Sequence, residues 1–321
     1  MVSYANDKEA AEGLRLKYQQ LLSETAKVII GQKPVLEAIY NAIFCNGHVL
    51  LVGVPGLAKT LMVNTVAKIL GLNFNRIQFT PDLMPSDITG SEIMDESRRF
   101  RFIKGPVFTN ILLADEINRT PPKTQSALLE AMQEKAVTVA GQRYTLSLPF
   151  FVLATQNPIE QEGTYPLPEA QMDRFMYFVT LDYPSFQEEV DIVRGTTGAF
   201  QQEPNALMNA EEVLYFQQLV RRVPVPDNVV DYAVRLVHKT RPHTPTATKE
   251  VNEFLSWGAG PRASQNLILG AKCHALLQGK FNPDIEDVQA VAFLVLRHRL
   301  IRNYKAEAAG ITNDELIKTL L

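Results

Sequence analysis

The chain has 321 residues, with 32 Lys and Arg against 35 Asp and Glu and a net charge of −3. That slightly acidic balance argues against a dominant nucleic-acid role, which shows as a basic surplus or stripe. Hydrophobic residues at 46% and charged residues at 21% fit an ordinary soluble globular protein, and the length exceeds what one compact core usually holds, so two domains are expected.

Residues 10–22 carry helical periodicity. Residues 28–32 read as a short extended turn, and Lys33-Pro34 opens a second helix with Pro in its usual first-turn place. His48-Val49-Leu50-Leu51-Val52 is a short apolar run that reads as a buried strand. A glycine-containing loop follows, then a helix over residues 61–70 with Gly71 as its stop. Residues 74–79, 110–116 and 150–155 are further strand candidates. From Gly47 to about Leu181 strands and helices alternate, which implies a parallel sheet with helices on both faces.

Two segments interrupt that alternation. Residues 84–108 contain Gly90, a charged stretch over 95–99 and an apolar run over 100–103. Residues 136–148 read as a hairpin of two alternating runs around Gly141-Gln142. Between them residues 123–134 are helical. Tyr183-Pro184-Ser185 marks a boundary between an α/β domain (1–184) and a helical domain (185–321). Helices are expected over residues 187–195, 210–220, 227–241, 262–278 and 284–298. Asn282 would cap the last of these, with Pro283 at its first position. Residues 299–321 leave room for one more helix.

Cys45 and Cys273 lie too far apart in sequence to suggest a disulfide framework or a zinc site. All five histidines read as structural or surface residues, with His238 and His243 in a loop-like region and His298 among arginines. No apolar run nears membrane-spanning length, and the polar residues 1–9 do not read as a signal peptide. A cytoplasmic location is expected.

The chemistry concentrates in Gly53-Val54-Pro55-Gly56-Leu57-Ala58-Lys59-Thr60. Set between strand and helix, such a loop points backbone N–H groups at phosphates. Lys59 then reaches the β/γ oxygens and the Thr60 hydroxyl can ligate Mg²⁺. Ala58 replaces the last glycine of the general pattern. Its methyl group is tolerable only where the backbone is near helical and does not need φ > 0. The alternative is a turn that binds nothing. Asp115-Glu116 end an apolar strand, where ligands of parallel sheets sit. Asp115 is placed to hold Mg²⁺, and Glu116 to orient and deprotonate water; solvated acids at a strand end are the alternative. Asn157 follows the 150–155 run and can bond both the γ-phosphate and that water. A plain turn Asn before Pro158 is its alternative.

Lys59-Thr60, Asp115-Glu116 and Asn157, in that order with a helical domain behind them, resemble an AAA+ ATPase. Gly53 to Thr60, the stretch 115–132 (DEINRTPPKTQSALLEAM), Ala154-Thr155-Gln156-Asn157-Pro158 and the stretch 167–175 (LPEAQMDRF) are similar to the MoxR family. The resemblance covers about residues 15–321, and Ala58 is usual in that family. The two interruptions resemble the helix-2 insert and pre-sensor hairpin of the clade that holds magnesium chelatase, MCM helicases and dynein. The implied fold is α/β: a P-loop parallel sheet sandwiched by helices, with a second, smaller all-α lid domain.

The resemblance further implies ATP and Mg²⁺ as cofactors. Gly53, Val54, Pro55, Gly56, Leu57, Ala58, Lys59, Thr60 and Leu61 would hold the nucleotide, and Gly31-Gln32 the adenine. It makes Arg174 an arginine finger and Arg262 a sensor of the γ-phosphate. A planar guanidinium suits phosphate oxygens, and one supplied in trans stabilises a phosphoryl-transfer transition state. The alternatives are a surface salt bridge of Arg174 with Asp173 or Glu169, a solvated Arg262 at a helix N-terminus, and a plain loop at Gly31-Gln32. Arg119 is either an interface residue or a surface charge. The resemblance implies a ring, a hexamer, that remodels or activates a client protein. Its partner is often a von Willebrand factor A protein, and the task is sometimes metal insertion.

Three other functions fit parts of the sequence. A nucleic-acid motor would grip a strand with the 136–148 hairpin, which offers only Arg143 as a cation and Tyr144 as a stacking ring. A small-molecule P-loop kinase would lack the helical domain. A nucleotide-gated scaffold would not hydrolyse, and Asp115-Glu116 argue against it.

Overall fold

The computed structural model describes residues 4–94, 96, 98–159, 163–197 and 203–321. In chain order its elements are α1 (Asp7–Ala26), α2 (Lys33–Phe44), β1 (Val49–Gly53), α3 (Lys59–Ile69), β2 (Phe74–Gln78), α4 (Pro85–Thr89), β3 (Gly90–Met94), β4 (Phe100–Lys104), β5 (Ile111–Asp115), α5 (Pro122–Glu134), β6 (Ala136–Val139), β7 (Gln142–Thr145), β8 (Phe151–Gln156), α6 (Glu169–Met172) and β9 (Tyr177–Leu181). There follow α7 (Phe186–Thr196), α8 (Ala210–Arg222), α9 (Asp227–Lys239), α10 (Lys249–Phe254), β10 (Leu255–Trp257), α11 (Pro261–Leu277), α12 (Ile285–Leu296), β11 (Ile301–Arg302), α13 (Tyr304–Ala308) and α14 (Asn313–Leu320).

Local chemistry starts these helices. Proline stands in the first turn of α2, α4, α5 and α11, where its missing N–H costs nothing. Asn6, Ser185, Asn209 and Thr312 cap α1, α7, α8 and α14 by accepting a backbone N–H two or three residues inside the helix. At α12 the cap is Asp284 and not Asn282. Asp284 and Asp287 each accept the other's backbone N–H, a reciprocal arrangement that needs a cap three residues before Asp287, where Asp284 stands and Asn282 does not.

Five strands form one parallel sheet in the order β2-β5-β8-β1-β9. Alternate residues of each strand face opposite sides. Val49, Leu51, Ile111, Leu113, Phe151 and Leu153 join one hydrophobic cluster with α1, α2 and α3. Leu50, Leu112, Ala114, Val152 and Ala154 join another, closed by α5 and the inserted segments. Burial on both faces is why these strands read as continuous apolar runs. The first cluster continues without a break into α8, α9, α11 and α12. These form a helical lid that includes one short antiparallel ribbon, β10–β11.

The inserts are both hairpins. β3 and β4 pair antiparallel from Gly90↔Lys104 to Met94↔Phe100, and of the charged stretch Asp95 and Ser97 lie outside the described residues. In the second, Val139 pairs with Gln142, so the turn is Ala140-Gly141, one residue earlier than expected. Both turn residues have positive φ, 49° and 80°, which matches the right-handed twist of the strands. His238 belongs to α9 and not to a loop. The tail 299–321 holds β11, α13 and α14 where one helix was expected.

Candidate active site

Sheet register brings the site together. Val52 of β1 pairs with Gln156 of β8, and Gln78 of β2 pairs with Asp115 of β5, so the strand ends align at one rim. There Pro55 to Thr60, Arg76, Gln78, Asp115, Glu116 and Asn157 line a cavity of about 390 Å³.

The loop between β1 and α3 makes two left-handed bends. Gly56 has φ 86°, and a Cβ built there would meet nothing within 4 Å, so its glycine serves backbone conformation and not space. Ala58 has φ 53° and ψ 27°. This corrects the expectation of a near-helical backbone at that position. Its carbonyl accepts the Met62 N–H at 2.9 Å and so starts α3. A left-handed residue bearing Cβ costs roughly 1–2 kcal/mol, and such strain persists only where the surroundings over-determine it. Lys59 Nζ donates to the Gly53 carbonyl at 2.5 Å. Burial pulls the Lys59 ammonium below its usual range, and Asp115 and Glu116 oppose that fall.

Thr155 ties the two acids to β8. Its hydroxyl donates to Asp115 Oδ1 at 2.6 Å and accepts the Glu116 N–H at 2.8 Å. Asp115 Oδ2 accepts Arg76 Nη2 at 2.7 Å and Nε at 3.1 Å. Glu116 is itself left-handed, with φ 58° and ψ 49°. Its Oε2 accepts Gln78 Nε2 at 2.7 Å and Arg119 Nη1 at 3.1 Å. Asn157 is buried at the cavity, and its Oδ1 accepts the Ile159 N–H at 3.1 Å. Asn157 thus lines the cavity while its side-chain oxygen serves the local turn.

Hard oxygens of Thr60 and Asp115 at one cavity fit Mg²⁺, which takes a carboxylate or two and completes its shell with water and phosphate. Arg76 must then yield Asp115 Oδ2. Sequence reasoning missed Arg76, Gln78 and Thr155. The signal available was the polar pair two residues apart on β2, which a period of two puts on one side of the strand.

Several expected residues lie elsewhere. Gly31 and Gln32 form a left-handed pair with φ 70° and 56°, and Gln32 Nε2 donates to the Asp182 carbonyl at 2.9 Å. A Cβ on Gly31 would sit 2.5 Å from Glu188 Oε1, so this turn packs between the end of β9 and α7. Arg174 and Arg262 do not line the 390 Å³ cavity. Arg174 borders a separate depression with Glu130, Gln133, Glu134 and Gln171. It makes no ion pair with a described residue. Asp173 instead bonds Arg262 Nη1 at 2.8 Å and Arg299 Nε at 2.7 Å. Among the described residues, no helix is long and apolar enough to cross a membrane.

Residues 48–177 match the ATPase family associated with various cellular activities (AAA), and residues 247–320 match the AAA lid domain. The chain is 43% identical over 315 residues to Chaperone MoxR1 of Mycobacterium tuberculosis, covering 97% of this chain and 83% of that protein. It is 42% identical over 297 residues to the uncharacterized protein YeaC of Bacillus subtilis, covering 92% and 90%. Protein MoxR of Methylorubrum extorquens is 27% identical over 309 residues, covering 91% and 90%. The crystal structure of a candidate ATPase from Cytophaga hutchinsonii superposes with a TM-score of 0.91 at 43% identity, covering 97% of this chain and 95% of that one. Likeness over nearly the whole length, on a five-stranded parallel sheet with a helical lid, makes this chain a member of the MoxR family of AAA+ ATPases.

Proposed function

We propose that this protein binds ATP with Mg²⁺ in the 390 Å³ cavity and hydrolyses it at interfaces between copies in a ring, read as a hexamer. The convergence of the phosphate loop, Asp115, Glu116 and Asn157 on one rim carries the proposal. Lys59 leaves the Gly53 carbonyl for the β/γ oxygens, and Thr60 and Asp115 hold the metal. The metal supplies charge neutralisation at those oxygens. Glu116 turns to the attacking water when its bonds to Gln78 and Arg119 are released, and Asn157 orients that water.

Arg174 is proposed as the finger that one copy lends to the next. Its absence from its own cavity supports a role in trans. Arg262 sits on Asp173 beside it, which supports assigning both arginines to the face offered to a neighbour. Residues 1–184 and 185–321 are proposed as the two bodies whose angle changes through the cycle, with Gly31-Gln32 at the adenine end. The work delivered is chaperone-like remodelling or activation of a client protein, in the cytoplasm. A von Willebrand factor A partner is the first to test, and metal insertion the second task to consider.

A strand-gripping motor is the weaker reading. Tyr144, the single ring of the β6–β7 hairpin, already stacks on Phe102 of β4 with centroids 4.0 Å apart. Beside it Ile93, Met94 and Phe100 are exposed, a surface suited to protein and not to phosphate.

The test is hydrolysis against protein concentration for wild type, Glu116→Gln and Arg174→Ala. Specific activity should rise steeply with concentration, and both variants should bind ATP yet lose turnover. A rate flat in concentration with Arg174→Ala as active as wild type refutes the shared site.

A further inference from the structure

Arg299, one turn past the end of α12, is among the most deeply buried charges of the described chain, with 2% of its side chain exposed. All five of its N–H donors are engaged. Nε donates to Asp173 Oδ1 at 2.7 Å. Nη2 donates to the Asp173 carbonyl at 3.0 Å and to the Phe175 carbonyl at 2.8 Å. Nη1 donates to the Met176 carbonyl at 3.3 Å and to the Val295 carbonyl. Two of these acceptors, the Asp173 and Phe175 carbonyls, flank Arg174 directly, and the Met176 carbonyl is the next along the chain. His298 adds a bond from Nε2 to the Phe175 carbonyl at 3.1 Å and stacks on Phe178. Burial, and next the Arg299 cation, hold the His298 imidazole well below its usual range, so it stays neutral and fits a single donor to that carbonyl.

We propose that Arg299 is a positioning residue for Arg174: its guanidinium clamps the backbone on both sides of Arg174 and aims that side chain outward. The proposal rests on the reading of Arg174 as a finger used in trans. A charge buried this far carries a desolvation penalty that its one carboxylate partner only partly offsets, and apolar side chains in place of the whole pair would serve stability as well or better. A rigid fork with five donors does what no apolar or single-point cation can do: it fixes several carbonyls in one geometry. Phe175 beside Arg174 is fully buried, so the clamped backbone has no slack on that side. The link also joins the lid to the finger, because Arg299 follows a lid helix and Asp173 receives Arg262 of α11 on its other oxygen.

The experiment is subunit mixing with Arg299→Lys in the full chain. Lysine keeps the charge and loses the fork. Hydrolysis should fall about a hundredfold, the usual cost of a roughly 1 Å misplacement of a catalytic group, with ATP affinity unchanged. Mixed with Glu116→Gln, which still lends Arg174, Arg299→Lys should regain turnover. Mixed with Arg174→Ala, which has no finger to lend, it should not. A wild-type rate for Arg299→Lys alone overturns the proposal. So does recovery with Arg174→Ala, because the finger of Arg299→Lys would then be sound, and so does recovery with neither. If Arg299→Lys does not fold, Asp173→Asn, at a one-third exposed position of the same clamp, must give the same pattern or the proposal fails. The mixture of Glu116→Gln with Arg174→Ala is the separate check on the shared site: if that pair does not recover, the trans finger itself is wrong.

Discussion

Ala58→Gly should make this protein more stable. Ala58 is held at φ 53° and ψ 27°, where Cβ crowds the following carbonyl. Relief of that contact is worth roughly 1–2 kcal/mol, against roughly 0.5–1 kcal/mol of extra chain entropy that glycine loses on folding. The net gain is about 0.5–1 kcal/mol, a rise in Tm of about 1–3 °C for a domain of this size. The converse change, Gly56→Ala, adds Cβ at φ 86° in open space. No packing clash or gain enters there, so backbone strain alone should cost about 1 kcal/mol after the entropy gain. Urea unfolding followed by far-ultraviolet circular dichroism, with Trp257 fluorescence as a second probe, measures both. If Ala58→Gly is neutral or destabilising while Gly56→Ala is tolerated, the loop does not hold its left-handed bends and the strain argument falls. With the bends confirmed, the strain marks a loop whose shape is kept for phosphate and not for stability.

Arg76→Gln should tighten the Mg²⁺ requirement of nucleotide binding about fivefold, since it frees Asp115 Oδ2 from a half-exposed cation worth about 1 kcal/mol. Titrating Mg²⁺ against a fluorescent ATP analogue reads this, and an unchanged or weaker requirement would sink the idea of competition. His48 and His298 are held well below their usual range by burial first, and next by Lys135 and Arg299. Their folded values lie below their unfolded ones, so the unfolded chain binds more protons once pH drops below about 6.5. Stability should be full above that pH and decline below it, by up to about 1.4 kcal/mol per pH unit for each histidine. A urea midpoint that stays level on the acid side of neutrality contradicts this. Asp287 is fully buried and accepts from His274 at 2.7 Å and Lys280 at 3.1 Å. Asp287→Ala should cost about 2 kcal/mol, because charged hydrogen bonds and the helix cap are lost while the two cations, each about a third exposed, regain water. Thermal unfolding checks it, and a loss below half that size means the pair is solvated.

The nucleotide half of the site was legible because each residue sits at the end of an element whose period is visible in sequence. β1, β5 and β8 are apolar runs, and the polar residues that interrupt them at their carboxyl ends have one place to go. The first-turn Pro34 likewise marked the start of α2, and the ranges read for α5 and α11 fall within a residue of the observed ones. The miss at Asn282 is a choice between two polar residues on either side of Pro283, decided by which of them stands three residues before Asp287.

What the sequence determined by itself was therefore local: the alternation that makes a parallel sheet, the loop between β1 and α3, the acids ending β5, and the likeness that groups them. Tertiary structure decided everything that depends on register between distant segments. Arg76 and Gln78 meet Asp115 and Glu116 only because β2 pairs with β5 from Phe74↔Ile111 to Gln78↔Asp115. Arg262 of α11 meets Asp173, 89 positions earlier in the chain. Arg299 reads as one more charge in a basic tail until the fold buries it against the carbonyls on either side of Arg174. A side chain's partners across 126 positions of chain are set by packing, and no spacing rule along the chain carries that information.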